Sequence, residues 1–266
     1  LTLTLGGRYE WWRAYGGFNT TLSTTVNSTI LQGERQFDGF SPKASLEWKG
    51  GNGFSVRLSA GQAYRTPTVG ELYQTTAVGT LLTNPNPGLL PERARSLELA
   101  LVKQDAKGTF RVSLFNEVID NALISQLNAA TNTTFVQNVD RTRARGVELA
   151  IDRRDVLPGF DLSASLTYAD AITSKDTVFP AAVGKLLPSV PHWKGNLVLS
   201  WRPTPQVTLT TAARFTSRNY ANLANDDTVV QTYQGFYKYF VLDARATFRV
   251  NDHFDFAIGV DNLNNN

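Results

Sequence analysis

The chain contains no cysteine and no methionine. Without cysteine there is neither a disulfide framework nor a thiolate metal site. Without an initiating methionine, the sequence is expected to be a mature or excised segment. Charged residues make up only 18%, and 26 Lys+Arg nearly balance 23 Asp+Glu, leaving +3. That balance, with no dense basic block, speaks against nucleic acid as a partner. Only two histidines occur, His192 in VPHW and His253 in NDHF. No GxSxG, HExxH, P-loop or GxGxxG context accompanies them. A barrel enzyme using His192 therefore lacks a nucleophile motif, and the expectation is a non-enzyme without cofactor or metal. The opening LTLTLGGRYE has neither the basic start nor the apolar core of a signal peptide. No apolar run approaches the roughly 18 residues of a membrane helix; the longest clean one, Leu97 to Val102, is strand-sized.

What the chain does have is period-two alternation from end to end. Leu1, Leu3 and Leu5 alternate with threonines, and Phe54, Val56 and Leu58 alternate with Ser55, Arg57 and Ser59. Val147, Leu149 and Ile151 oppose Glu148, Ala150 and Asp152, and the same pattern returns at 160–168, 240–249 and 254–261. These are antiparallel strands with one apolar and one polar face. No helix longer than a couple of turns is indicated. About eleven strands are expected, near 1–9, 41–49, 54–65, 93–103, 109–125, 134–153, 160–170, 193–202, 207–219, 237–250 and 254–262.

The connections alternate in length. KGGNG (49–53), QDAKG (104–108), RDVLPG (154–159), PTPQ (203–206) and NDH (251–253) are tight turns. Between them lie polar stretches near 15–40, 66–92, 171–191 and 221–236, with a shorter one near 126–134. A soluble sandwich has no reason to gather its tight turns at one end, whereas an outer-membrane barrel has short periplasmic turns and long extracellular loops. Strands of about ten residues suit a tilted span better than the five or six of soluble sheets. Aromatics also collect near strand ends, among them Trp11, Trp48, Tyr64, Trp193, Trp201, Phe236 and Phe240, as interfacial girdles require. The expected fold is an all-β, antiparallel transmembrane barrel. An odd eleventh strand followed by Asn264-Asn265-Asn266 leaves the sheet without an even partner, so the chain looks cut.

Several segments, in order, resemble the C-terminal barrel region of TonB-dependent outer-membrane receptors. Arg65, Pro67, Glu71, Leu72 and Tyr73 match that family's "RaP…ELy" stretch, and NPGLLPE (86–92) resembles its "NPxLxPE". NVDRTRARGVELAIDRR (138–154) is similar to its "N…RGvEle" pattern, LPSVPHWKGNLVLSW (187–201) to its "vPxH" strand, and 241–266 to its ending. The resemblance implies a barrel of 22 strands with a plugged lumen, of which residues 1–266 are the C-terminal half. The N-terminal plug, the TonB-contacting segment and the final strand are absent. It also implies uptake of a ferric siderophore or similar nutrient such as cobalamin, in the outer membrane of a Gram-negative bacterium. The implied partners are membrane lipid and lipopolysaccharide, the plug, and TonB through the missing N-terminal part, with the receptor a monomer. A passive porin-like channel and a soluble binding domain are the competing readings.

On this resemblance, ligand would meet the long loops. The candidate contacts there are Arg35, Tyr73, Tyr220, Tyr233 and Tyr237, with Tyr15 and Phe18 beside them; interfacial anchoring or loop packing is the plainer role for each. Arg141, Arg143 and Arg145 share one strand face and are suited to plug carboxylates or lipopolysaccharide phosphates. A structural role inside the lumen is the expectation for them, and for Glu98, Glu117 and Glu148.

Overall fold

The structure, a computed structural model, describes residues 1–22, 27–79, 81–128, 133–227 and 237–265. Strand β1 (Thr2–Ala14) is followed by a hairpin of β2 (Phe18–Leu22) and β3 (Asn27–Leu31), then β4 (Arg35–Lys49) and β5 (Phe54–Arg65). One short helix, α1 (Val69–Tyr73), and two brief strands, β6 (Thr76–Val78) and β7 (Leu81–Asn84), lead to β8 (Glu92–Asp105). Next come β9 (Gly108–Asn128), β10 (Thr133–Leu157) and β11 (Phe160–Lys175). After a 3₁₀ turn at Pro180–Ala182 follow β12 (Trp193–Thr204), β13 (Val207–Thr216), β14 (Tyr239–Arg249) and β15 (Asp255–Val260).

Eleven of these strands form one antiparallel path, β1-β4-β5-β8-β9-β10-β11-β12-β13-β14-β15; β6 and β7 join the same sheet beside β10, and β2-β3 stands apart. The eleven strands expected from alternation are the eleven of the path. β1 and β15 are its two edges, so the sheet is open. No helix among the described residues is long and apolar enough to cross a membrane; crossing by strands is a separate matter.

Register shows why the alternation exists. Leu3, Leu46, Leu58, Leu99, Leu114, Val147, Tyr168 and Trp193 pair in succession across β1, β4, β5, β8, β9, β10, β11 and β12. The parallel row on the other face reads Thr2, Glu47, Arg57, Ala100, Ser113, Glu148, Thr167, Lys194 and Thr216. Cross-strand pairs stand side by side on one face, so each row has a single character. The polar row is tied by ion pairs such as Arg57–Glu47 at 3.1 Å and Arg214–Asp243 at 2.9 Å, and by Arg111 with Glu98.

The apolar row is not a core. Leu3 is 61% exposed, Leu114 51% and Ile258 64%. A continuous apolar band of this width is unsustainable in water and suits hydrocarbon. Aromatics bracket it. Phe160 pairs with Trp201 and Tyr168 with Trp193, each strand carrying its two rings eight residues apart; Phe240 and Phe248 on β14 repeat the spacing. Eight residues cover about 27 Å of strand, which at a tilt of about 40° is roughly 20 Å of height, most of an apolar band about 25 Å tall. The Phe160 and Trp201 rings stack with centroids 5.5 Å apart, and Tyr168 leans on Trp193 at 4.8 Å.

The largest fully buried apolar side chains sit instead at the long-loop end: Leu72 and Leu89 in one loop, and Val139 and Leu223 in a cluster with Ala122 and Ala182. There the strands also outrun the sequence expectation. β1 reaches Ala14, β4 starts at Arg35 inside the expected 15–40 loop, and β11 runs on to Lys175. Past the membrane band both faces are wet, so alternation fades while ladder hydrogen bonds continue. Hydrophobic patterning cannot mark such ends.

Candidate functional site

All five tight turns lie at one end of the sheet and the long connections at the other. The candidate contacts expected from the sequence belong to the long-loop rim, whose geometry starts from α1. Thr68 caps the helix: its Oγ1 accepts from the Glu71 N–H at 3.2 Å, while Glu71 Oε2 accepts from the Thr68 N–H at 2.7 Å. This reciprocal capping box fixes the turn out of β5. Arg65, the last residue of β5, donates to Glu71 Oε1 at 2.6 Å. Burial pushes the Glu71 carboxyl up, but the Thr68 and Arg65 hydrogen bonds and the Arg65 charge outweigh it and hold it below its ordinary 4.5. Pro67 and Glu71 are thus helix-start chemistry, and Leu72 is the buried anchor that the helix inserts.

The next marker stretch, NPGLLPE, is held from three sides. Asn86 Nδ2 donates to the Val136 carbonyl at 3.1 Å, and Asn138 receives the Leu90 N–H at 2.7 Å while returning a bond to its carbonyl at 3.0 Å. Glu92 Oε2 accepts the Leu123 N–H at 2.9 Å. Arg35 completes the clamp, donating to the carbonyls of Pro87 and Leu89, the latter at 2.6 Å. Strand β7 lies parallel on β10 through Leu82, Thr83 and Asn84. Loop 66–91 is therefore sewn to β4, β9 and β10.

A second group joins the loops after β11 and β13. Asn225 accepts the Leu186 N–H at 2.8 Å and donates to its carbonyl at 2.9 Å; the Ser189 N–H donates to the Tyr220 carbonyl at 2.7 Å. Leu223 and Ala182 pack there against Ala122 and Val139.

The candidate residues fall into these two groups. Arg35 is committed to backbone carbonyls. Tyr73 accepts from Asn19 at its carbonyl, 2.5 Å, and its buried hydroxyl meets no partner among the described residues. Tyr220 lies under the Arg218 guanidinium at 5.0 Å. Tyr237 is half-buried just before β14, and Tyr233 and Phe236 lie outside the described residues. Tyr15 and Phe18 are well exposed, Tyr15 carrying Arg13 over its ring at 5.4 Å. The residues that sequence reading missed are the asparagines Asn19, Asn86, Asn138 and Asn225. Asn86, Asn138 and Asn225 each give a donor and an acceptor to backbone groups, while Asn19 donates to the Tyr73 carbonyl and accepts from Gln32 Nε2; only Asn-Pro and the Asn before the RG motif hinted at them.

His192 stacks on Tyr168 and bonds the Ala169 carbonyl at 3.0 Å near the rim, whereas His253 sits in the tight turn between β14 and β15. They are at opposite ends of the sheet. No group of three metal-ligating side chains gathers among the described residues.

The RTRARG segment departs from expectation. Arg141, Arg143 and Arg145 share the face of Val147 and Leu149, the apolar one, not the polar interior. They reach Asp120 and Asp170 on neighbouring strands. Gly146, on the opposite face, has its reason in space: a Cβ there would stand 1.9 Å from the Tyr168 carbonyl oxygen and 2.7 Å from the Phe115 ring. Of the three carboxylates named with them, Glu98 pairs with Arg111 on the polar face, and Glu117 and Glu148 stay on that face beside it.

Comparison with known proteins bears directly on this rim and band. The family model described as TonB dependent receptor-like, beta-barrel, matches residues 1–263. The "Probable TonB-dependent siderophore receptor PiuA" of Acinetobacter baumannii is 23% identical over 256 residues, 88% of this chain and 33% of that protein. The "Probable hemoglobin and hemoglobin-haptoglobin-binding protein 4" of Haemophilus influenzae is 27% identical over 163 residues, 53% of this chain and 16% of that protein. The crystal structure of PiuA from A. baumannii superposes with a TM-score of 0.74 at 20% identity, covering 99% of this chain and 36% of that one. The chain thus spans a third or less of the curated relatives it matches, and the fold agrees throughout.

Proposed function

The chain belongs to the TonB-dependent receptor β-barrel family, and from that premise we propose that it forms part of the membrane barrel of an outer-membrane receptor for TonB-dependent uptake of a ferric siderophore or comparable nutrient, haem and cobalamin included. The family consists of transport receptors of the Gram-negative outer membrane, so the short turns face the periplasm and the sewn rim faces outside. The observation that carries the reading is the family match across 1–263, which coincides with a sheet having one lipid-suited and one polar face. On this reading the chain is the C-terminal part of the barrel, and the whole receptor acts as a monomer.

The rim offers aromatic faces and amide groups at the loop ends, chemistry suited to an apolar, anionic chelate. Tyr73, Tyr220, Tyr233 and Tyr237 are its ring candidates; Arg35 serves by holding loop 66–91 in place. A plug carried by the rest of the protein completes the site from within the lumen, against the polar rows, and TonB acting on that plug opens the path. In keeping with a family of transport receptors, the proposed role is transport without chemistry on the ligand. The test is iron-limited growth of cells whose only receptor is the full-length protein, supplied in turn with ferric siderophores, haem and cobalamin. Growth on at least one ligand, abolished by deleting TonB, is expected. Entry that persists without TonB and rises linearly with concentration would sink the proposal in favour of a porin-like channel.

A further inference from the structure

A polar atom sealed from water without a partner is rare in a folded chain, because it loses its hydration and gains no bond in return. Among the described residues nine side-chain atoms stand so, and four of them belong to one short turn after β13: Arg218 Nε, Asn219 Oδ1, Asn222 Oδ1 and Asp227 Oδ1. Three of these four are acceptors. The turn folds back on itself and so gathers them. Asp227 Oδ2 accepts the Ala221 N–H at 2.9 Å, Asn222 Nδ2 donates to Asp226 Oδ1 at 2.7 Å, and Arg218 donates to the Asp227 carbonyl at 3.1 Å. The loop after β11, which this turn grips, has the same deficit. Its Asp176 is only 3% exposed and Thr173 0%, and Asp176 Oδ2 and Thr173 Oγ1 meet no partner among the described residues.

The side-chain cations at hand do not fill the deficit. Arg218 lies over the Tyr220 ring at 5.0 Å with one nitrogen on the Asp227 carbonyl. One sealed carboxylate oxygen, two sealed amide oxygens and the adjacent Asp226 make an oxygen-only set carrying two negative charges. That is the chemistry of a hard divalent cation, not of a transition metal. An irregular turn with amide ligands suits calcium better than magnesium, which demands an octahedron and keeps its waters. Only two members of the set are acidic, so such a site needs no group of three His, Cys, Asp or Glu side chains, and none gathers among the described residues.

We propose that the turn 219–227 binds one calcium-class cation through Asn219, Asn222 and Asp227, with Asp226 beside them, and that the ion locks two rim loops together. The same turn carries Leu223, buried in the cluster with Ala182, and Asn225, which holds Leu186. An ion on Asn222 and Asp227 fixes the two residues that in turn hold Asn225 and Ala221. The inference rests on this loop pair and not on what the receptor transports.

The test is calcium binding by the full-length protein in nanodiscs after chelation. It is read by calorimetry and by terbium luminescence excited through Tyr220, which stands in the turn. One ion per chain is expected, displaced by calcium and not by an about tenfold excess of magnesium. Asp227→Asn should weaken binding about thirtyfold and Asn222→Ala about tenfold. Asn222→Asp should keep it, and Asp252→Asn, in the tight turn at the far end of the sheet, should leave it unchanged. Chelation should quicken hydrogen exchange at the Leu186 and Ser189 amides in the wild type; in Asp227→Asn exchange should be quick at any calcium level. Should Asp227→Asn fail to fold, the two Asn222 variants carry the test. No binding at millimolar calcium, an equal loss in Asp252→Asn, or a loss in Asp176→Asn with Asp227→Asn unaffected overturns the proposal. Uptake lost with calcium binding intact would count against the uptake reading and leave this one standing.

Discussion

The two ends of the sheet solve the same problem, joining antiparallel strands, in opposite ways. At the short-turn end each connection is a turn of a few residues that touches only the strand or turn beside it, as where the Gln104 N–H donates to the Gly53 carbonyl at 2.9 Å. Gly53, in the left-handed region at φ 73°, lets the turn pass so close to β8 that a Cβ would stand 1.8 Å from the Gln104 carbonyl oxygen. At the rim the longer connections are held by partners from elsewhere in the chain. Loop 66–91 is held by Arg35 from β4 and Asn138 from β10, and the loops after β11 and β13 hold each other through Asn225. Local turns are set by a few residues and the neighbouring strand, so they draw on no distant loop. Rim loops get their shape from distant partners, which lets a large surface be shaped while its tips stay free to vary.

The comparison predicts damage that is global at one end and local at the other. The largest effect is expected from Gly53→Val, where positive φ and the Gln104 contact both forbid a side chain; a loss of about 3 kcal/mol or more should appear as a collapsed yield of heat-modifiable, folded protein. By contrast Gly79→Ala, at φ 60° in the rim with nothing within 4 Å of the added methyl, should cost only about 1 kcal/mol and leave folded yield intact. Next in size, Leu72→Ala removes a fully buried side chain and should cost about 2–4 kcal/mol. Hydrogen exchange should place that loss in residues 68–91, with amides of β12 to β14 unchanged; protection lost throughout the sheet would mean that the rim is not an independent unit.

Arg35→Ala leaves two backbone carbonyls without their donor and should cost about 1–3 kcal/mol, read as faster proteolysis within 84–91. The smallest effect is a pH dependence. Because the Glu71 carboxyl is held below its ordinary 4.5 in the folded protein, its contribution is fully present above that value and is lost as pH falls through the lower, folded value. Protection of the Leu72 and Gln74 amides should therefore drop only below about pH 4.5, and Glu71→Gln should remove the dependence. A pH-insensitive wild type would discard the capping account.

How much of this was legible beforehand depended on what water or lipid does to each segment. The eleven strands, their alternation and the unequal connections were readable because each row on the band, such as Leu46, Leu58 and Leu99, must be of one character. The family markers were readable as markers, but not as staples. Nothing in NPGLLPE announces that Asn138 would grip Leu90, since that pairing spans 48 residues. The arginines of RTRARG were seen to share a face, yet they were expected inside. Counting back from Val147 would have put Arg145 and Arg143 outside, but a charge above a girdle and a charge within a lumen look alike in sequence. The candidate tyrosines were least legible, because a ring in a loop obeys no period.

The sequence alone determined the strands, the two-faced sheet and the family, because a period of two leaves every second side chain in hydrocarbon and composition must follow. Only the tertiary structure decided which loop grips which strand, that Arg35 serves backbone carbonyls, and that Arg141, Arg143 and Arg145 reach Asp120 and Asp170 on neighbouring strands. Those are contacts between residues far apart in the chain. They depend on strand register and on how far each strand runs past the membrane, where no alternation is left to read.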